Sequence, residues 1–198
     1  MAITTAELVK SLTGATSDGA AQASSAESLG GFRGNTTITD STDENLFDNI
    51  TGLEAAEADY TDYRCLVFQN TDAALTLSTA KIFISADDSN SDTTYSFCLE
   101  RPQTSLTTGT AQLLTDEGQT DAPDLTNATY HTSGAWTVST SMASYATGLV
   151  VGPLNSMGTT GLAPNELIYV WVKRVVGVNA AAASDVAFTI TLQGDTAV

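Results

Sequence analysis

The residue types that usually carry catalysis or metal binding are sparse in this chain, and their spacing argues against chemistry. His131 is the only histidine. A Ser-His-Asp triad needs a histidine held by an acid and aimed at a serine. The flanking stretch TNATYHTSGA reads instead as a loop, no G-x-S-x-G elbow occurs anywhere, and His131 is read as solvated. The pairs Asp87-Asp88 and Asp43-Glu44 are adjacent acids of the kind that do acid–base work in glycosidases, but among turn formers they read as solvated loop acids. Asp88, Asn90 and Asp92 repeat the 1, 3, 5 spacing of oxygen ligands in a calcium loop. The sixth position is Thr93 rather than glycine and the twelfth is Leu99 rather than glutamate, so a plain hairpin loop is expected, with a structural calcium ion as the alternative. Cys65 and Cys98 lack C-x-x-C spacing, and with one histidine they cannot complete a zinc site. Two free thiols packed as small hydrophobes are expected, a disulfide between them being the alternative. The run LGGFRG follows no strand and lacks the Lys-Ser/Thr step of a phosphate loop. No catalytic residue, metal site or cofactor is assigned.

Composition points the same way. The 198 residues carry 7 basic and 23 acidic side chains, a net charge of −16. Nucleic-acid binding draws its affinity from clustered Lys and Arg on phosphates, and the only basic pair, Lys173-Arg174, lies inside a strand-like run. Nucleic acid is therefore excluded as a ligand, and an anionic membrane surface for the same reason. The acidity is read as a solubility device. No stretch approaches the ~20 apolar residues of a membrane-spanning helix. The start MAITTAELVKSLTGA lacks the basic and apolar regions of a secretory signal, which predicts synthesis and folding in a cytoplasm.

The elements that would position any surface are strands. In LAPNELIYVWVKRVVGV, residues Leu162 to Val178, the alternation puts Ile168, Val170 and Val172 on one face and Tyr169, Trp171 and Lys173 on the other. Such a strand sits in a sheet covered on both sides, or between a core and a partner. Further strands are predicted at Thr36–Thr39, Tyr63–Gln69, around Leu75 and Leu77, at Lys81–Ala86, at Thr94–Glu100 with Tyr95, Phe97 and Leu99 inward and Cys98 outward, and at Ala187–Gly194 with Phe188, Ile190 and Leu192 inward. Asn70-Thr71-Asp72 is a turn, Leu46-Phe47 an anchor for a loop, Leu53–Ala58 a helical turn, Arg101-Pro102 a strand stop and Ala180–Ala183 a connection. Residues 103–157 form a strand-loop insertion with strands near Trp136–Ser139 and Gly148–Val151, and this insertion carries the contact surface. Residues 1–34 read differently. AELVKSL allows two helical turns, since Leu8 and Leu12 are four apart, and the rest has almost nothing to bury. This segment is expected to be an extended arm that becomes ordered on a neighbouring subunit, plugged by Leu29 and Phe32, or else a floppy one. The predicted fold is an all-β, two-sheet antiparallel β-sandwich of seven to nine strands over residues 35–198, immunoglobulin-like or jelly-roll-like, with that arm.

Two segments, Asn45 to Ala86 and Leu162 to Ala197, resemble a structural domain of tailed-bacteriophage virion proteins. The residues that carry the resemblance are Tyr63-Arg64-Cys65, the strand-ending Asn70, and Trp171-Val172-Lys173-Arg174; the layout is also similar to immunoglobulin-like bacterial adhesion modules. Asn165 stands where the family usually has glycine. The resemblance implies a non-enzymatic virion component, assembled in the host bacterial cytoplasm, most simply a capsid decoration (cement) protein on the outer surface of the major capsid protein shell. It would be a homo-oligomer, a dimer or trimer, since closed symmetry fits capsid axes. Candidate partner contacts are Leu8, Leu12, Leu29, Phe32, Arg33, Trp136 and Tyr169, with Trp171 considered and assigned to the core. The alternative is a tail, neck or baseplate component binding a host glycan through Trp136, Tyr130 and Asp124.

Overall fold

The computed structural model describes residues 2–22, 24–39, 45–48, 50, 58–87, 92–100, 110–115, 122–127, 135–152, 161–180 and 187–197. His131, Tyr130, Asp43, Glu44, Asp88, Asn90, Arg101, Pro102, the helical turn expected over 53–58 (save Ala58) and most of the alanine run lie outside them. The strands are β1 (Leu8–Ala15), β2 (Gly30–Thr37), β3 (Tyr60–Asn70), β4 (Thr76–Asp87), β5 (Thr93–Leu99), β6 (Thr110–Leu113), β7 (Thr137–Val138), β8 (Leu149–Val150), β9 (Gly161–Leu162), β10 (Leu167–Val176) and β11 (Phe188–Ala197). Seven of them form one sheet in the order β6-β2-β1-β3-β10-β5-β7; β11-β4-β8, with β9 also on β4, form the second. Every strand pairing is antiparallel, and the fold is an all-β sandwich.

Period-two alternation accounts for the layers. Ile168, Val170 and Val172 of β10 face the smaller sheet, beside Leu66 and Phe68 of β3 and Tyr95 and Phe97 of β5, and meet Leu77, Ile82 and Ile84 of β4 in the main core. Tyr169 and Trp171 project from the other side of the same sheet into a second core with Tyr63, Cys65, Val67 and Cys98. Ala111, Leu114, Leu125 and Trp136 close this second core, whereas Met142 and Val151, from the same predicted insertion, lie in the main core. The central strand is thus covered on both faces. Burying Trp171 and Tyr169 there removes large apolar rings from water, which contributes on the order of 2–3 kcal/mol for each.

The N-terminal segment corrects two expectations. Leu8 and Leu12 belong to a strand, after a single 3-10 turn at Thr5–Glu7, and β1 pairs with β3 from Leu8↔Asn70 to Leu12↔Leu66. A spacing of four also places two residues on one face of a strand, so the leucines did not discriminate between the periods. The extended arm is corrected with it: β1 and β2 are two strands of the large sheet, and β2 crosses the expected boundary at residue 34. Backbone pairing and buried hydroxyls supply what apolar side chains do not. Past Leu12 the β1–β3 ladder is replaced by Ser28, whose carbonyl accepts from the Cys65 N–H at 2.6 Å and whose hydroxyl donates to the Cys65 carbonyl at 2.6 Å. The same hydroxyl accepts from the Thr13 N–H at 2.8 Å.

The turn into β10 explains Asn165. The Glu166 N–H donates to the Ala163 carbonyl at 3.0 Å, and Asn165 has φ +62°. Proline second and a left-handed residue third is the type II arrangement, in which asparagine is the usual substitute for glycine.

Candidate functional site

The basic residues of the resemblance motifs are structural. Arg174 and Asp62 face each other across β10 and β3, with Arg174 Nε to Asp62 Oδ1 at 3.0 Å and Nη2 to Oδ2 at 2.6 Å. Arg174 Nη2 also donates to the Asp48 carbonyl at 2.9 Å, while Arg64 Nε donates to the Leu46 carbonyl at 3.0 Å. Both guanidinium groups lie over the Phe47 ring, whose centroid is 4.6 Å from Arg174 Cζ and 5.3 Å from Arg64 Cζ. Leu46 and Phe47 are buried, as expected of a loop anchor. Two cations over one ring, with their donors satisfied by a carboxylate and loop carbonyls, fasten residues 45–48 to the sheet. Asn70 is likewise a stitch: its side-chain amide donates to the Leu75 and Leu162 carbonyls at 2.8 and 3.0 Å.

The second core holds the chain's most perturbed titratable groups. Glu100 is only 2% exposed; its Oε1 accepts from Trp171 Nε1 at 2.6 Å and the Gln112 N–H at 3.1 Å, and Oε2 has no hydrogen-bond partner among the described residues. Burial pushes its carboxyl up to about 7, against the opposing pull of those two donors. Cys65 and Cys98 are both opposite Trp171, on the strands to either side of it. Two strand spacings put their backbones roughly 9–10 Å apart, beyond the ~7 Å reach of a disulfide, and both are free thiols. Burial raises both, Cys98 to about 12, so neither is an activated nucleophile. The disulfide alternative is thereby excluded. Among the described residues no group of three or more His, Cys, Asp or Glu is placed to hold a metal ion.

The expected contact residues separate into two groups. Tyr169 and Leu12 are buried in the two cores, which corrects their assignment to a partner surface, and Trp171 is core as expected. Leu8 and Leu29 are half-buried against the cores. Arg33 is held internally by a bidentate pair to Asp18, at 3.0 and 3.1 Å, and by Gln69 Oε1 at 2.8 Å. Trp136 packs at 5.8 Å from the Tyr63 ring with Lys173 Nζ 5.1 Å above it, and Asp124 turns its carboxylate onto Thr126. Those two residues of the glycan alternative are thus engaged within the chain. Phe32 differs. With Gly14, Ala15, Gly31, Ala111 and Leu113 it lines an open, mostly apolar groove of about 400 Å³, and Leu113 on its rim is 69% exposed. A second groove of about 300 Å³ runs beside β11, between Leu8, Lys10 and Phe68 on one wall and Ile190 and Leu192 on the other.

Sequence reasoning missed Glu100 and Asp62. Glu100 had a readable signal, since it shares the parity of Cys98 at the end of an amphipathic strand. Asp62 had none, because its partner depends on the β3–β10 register. Compared with family models, curated proteins and solved structures, the chain matches none.

Proposed function

We propose that this chain is a non-enzymatic structural subunit that works by burying surface against other proteins. On the sequence resemblance, those proteins are the major capsid subunits of a tailed-phage particle, which it decorates and stabilises from outside. The observation that carries the reading is the Phe32–Leu113 groove: an open apolar surface, with one of the most exposed large hydrophobic side chains on its rim, on a chain of net charge −16. Removing such a rim side chain from water is favourable, so the groove is a surface that a partner can cover. The buried arginines and acids support the same reading, since they are spent on fastening the fold.

The test is to count and locate the chain in purified particles. Hundreds of copies on the outer shell support decoration, and Leu113→Asp is then expected to reduce occupancy at least tenfold while leaving the fold intact by circular dichroism. A dozen or fewer copies at a tail, or turnover of a sugar, ester or peptide bond by the isolated protein, overturns it.

A further inference from the structure

Among the described residues the smaller sheet ends on a long strand. β11 runs for ten residues and, among the described residues, pairs only with β4. The other terminal strands are short: β6 has four residues, β7 and β8 two each. An unpaired edge is a template for another strand, and proteins usually blunt it with lysine, proline, inward charges or brevity. β11 carries no lysine or proline, and Asp195 is its only charged residue; its protection is confined to two bulges. Bulges lie at Thr189/Ile190 and at Gln193/Asp195, and between them Ile190 to Gln193 pair regularly with Ile84 to Lys81. This leaves a regular window centred near Thr191. Beside it runs the groove lined by Leu8, Lys10 and Phe68 on one wall and by Ile190, Thr191 and Leu192 on the other.

We infer that the β11 edge is a self-association surface, pairing antiparallel with β11 of a second copy about a two-fold axis through Thr191. Opposite residues of an antiparallel pair point to the same side of the sheet, so a symmetric pairing must match positions of equal parity. Centring on Thr191 places Ile190 opposite the partner's Leu192, both on the core side. Thr191 meets the partner's Thr191 on the outer side, where its hydroxyl already lies 2.9 Å from that of Ser85. Charge permits a second copy at this strip, and the one charged side chain of the adjoining groove is the cation Lys10. Two chains of net charge −16 repel wherever carboxylates meet, but Phe188 to Gly194 carry no charge. In this register Asp195 faces the partner's Ala187 rather than the partner's Asp195. The pairing joins two small sheets into one continuous sheet and is independent of what the Phe32 groove binds.

A single added strand buries little against the ~800 Å² per partner of a standard interface, so a dimer that dissociates on dilution is expected. Sedimentation velocity of the full chain from low micromolar to millimolar concentration should show reversible dimerisation, and Thr191→Lys should abolish it with an unchanged circular dichroism spectrum. The register is tested by Thr191→Cys, which puts a thiol opposite its own copy while Cys65 and Cys98 stay buried. Mild oxidation is expected to give a covalent dimer with Thr191→Cys and little with Thr189→Cys, whose opposite number is the partner's Gln193. A chain monomeric at every concentration overturns the proposal, as does a dimer that survives Thr191→Lys or fails to cross-link through position 191.

Discussion

Replacing Glu100 by glutamine should remove most of a pH dependence built into the second core. In the folded chain burial raises the Glu100 carboxyl from an ordinary 4.5 to about 7, while in the unfolded chain it returns to its ordinary range. Between those values the folded state holds a proton that the unfolded state has released. Stability from this group is therefore complete below pH ~4.5, declines as pH rises through the window, and is lost above pH ~7. A difference of about 2.5 pK units corresponds to roughly 3 kcal/mol. Glu100→Gln keeps an oxygen for Trp171 Nε1 and the Gln112 N–H and carries no charge at any pH. Urea unfolding of both proteins from pH 4.5 to 8.5, followed by tryptophan fluorescence, cancels the carboxylates they share. The stability difference should move in favour of Glu100→Gln by ~3 kcal/mol across the series, a melting shift of roughly 10 °C for a chain of this size. Parallel profiles for the two proteins would refute the argument. They would mean that the ionised carboxylate has a donor that its geometry does not show and that holds it in the ordinary range.

Two further outcomes follow from buried groups. Arg174→Ala strands the Asp62 carboxylate, itself 2% exposed, and releases the Asp48 carbonyl and the Phe47 ring; it should cost ~3–5 kcal/mol in urea unfolding, and Arg174→Lys should recover little because a lysine cannot supply the fork. Cys65 and Cys98 should resist an aromatic disulfide reagent in the native chain and both react once it is unfolded, since burial disfavours each thiolate.

What could be read from the sequence was periodicity. The two faces of residues 168–172, the inward Tyr95 and Phe97, and the inward Phe188, Ile190 and Leu192 all stand where alternation puts them. So does the Leu46-Phe47 anchor, because two large apolar residues among acids have few places to go. Register was not readable, and it creates the Asp62–Arg174 pair and the row Cys65–Trp171–Cys98. The N-terminal strands escaped for a different reason. Their backbone is held by Thr13, Ser28 and glycine contacts that leave no hydrophobic period; at Gly30, with φ +90°, a Cβ would fall 1.6 Å from the Gln112 carbonyl oxygen. A segment secured by hydroxyls and close backbone approach has the composition of a disordered one.

The few cations explain why an acidic exterior and an apolar contact belong together. Arg33, Arg64 and Arg174 are committed to internal carboxylates and carbonyls, and Lys81 and Lys173 lie over the rings of Tyr145 and Trp136. These five cations are thus spent within the chain on staples, and the acids outnumber the basic residues 23 to 7. The field of that surplus opposes the approach of anionic surfaces and of identical copies, least where a strip carries no carboxylate. Two surfaces free of carboxylates are the Phe32–Leu113 groove and the Phe188–Gly194 part of the β11 edge, and they lie on different sheets. The proposed role as a subunit of a larger assembly would draw on that combination: repulsion over most of the surface, and patches without carboxylates whose burial outweighs it.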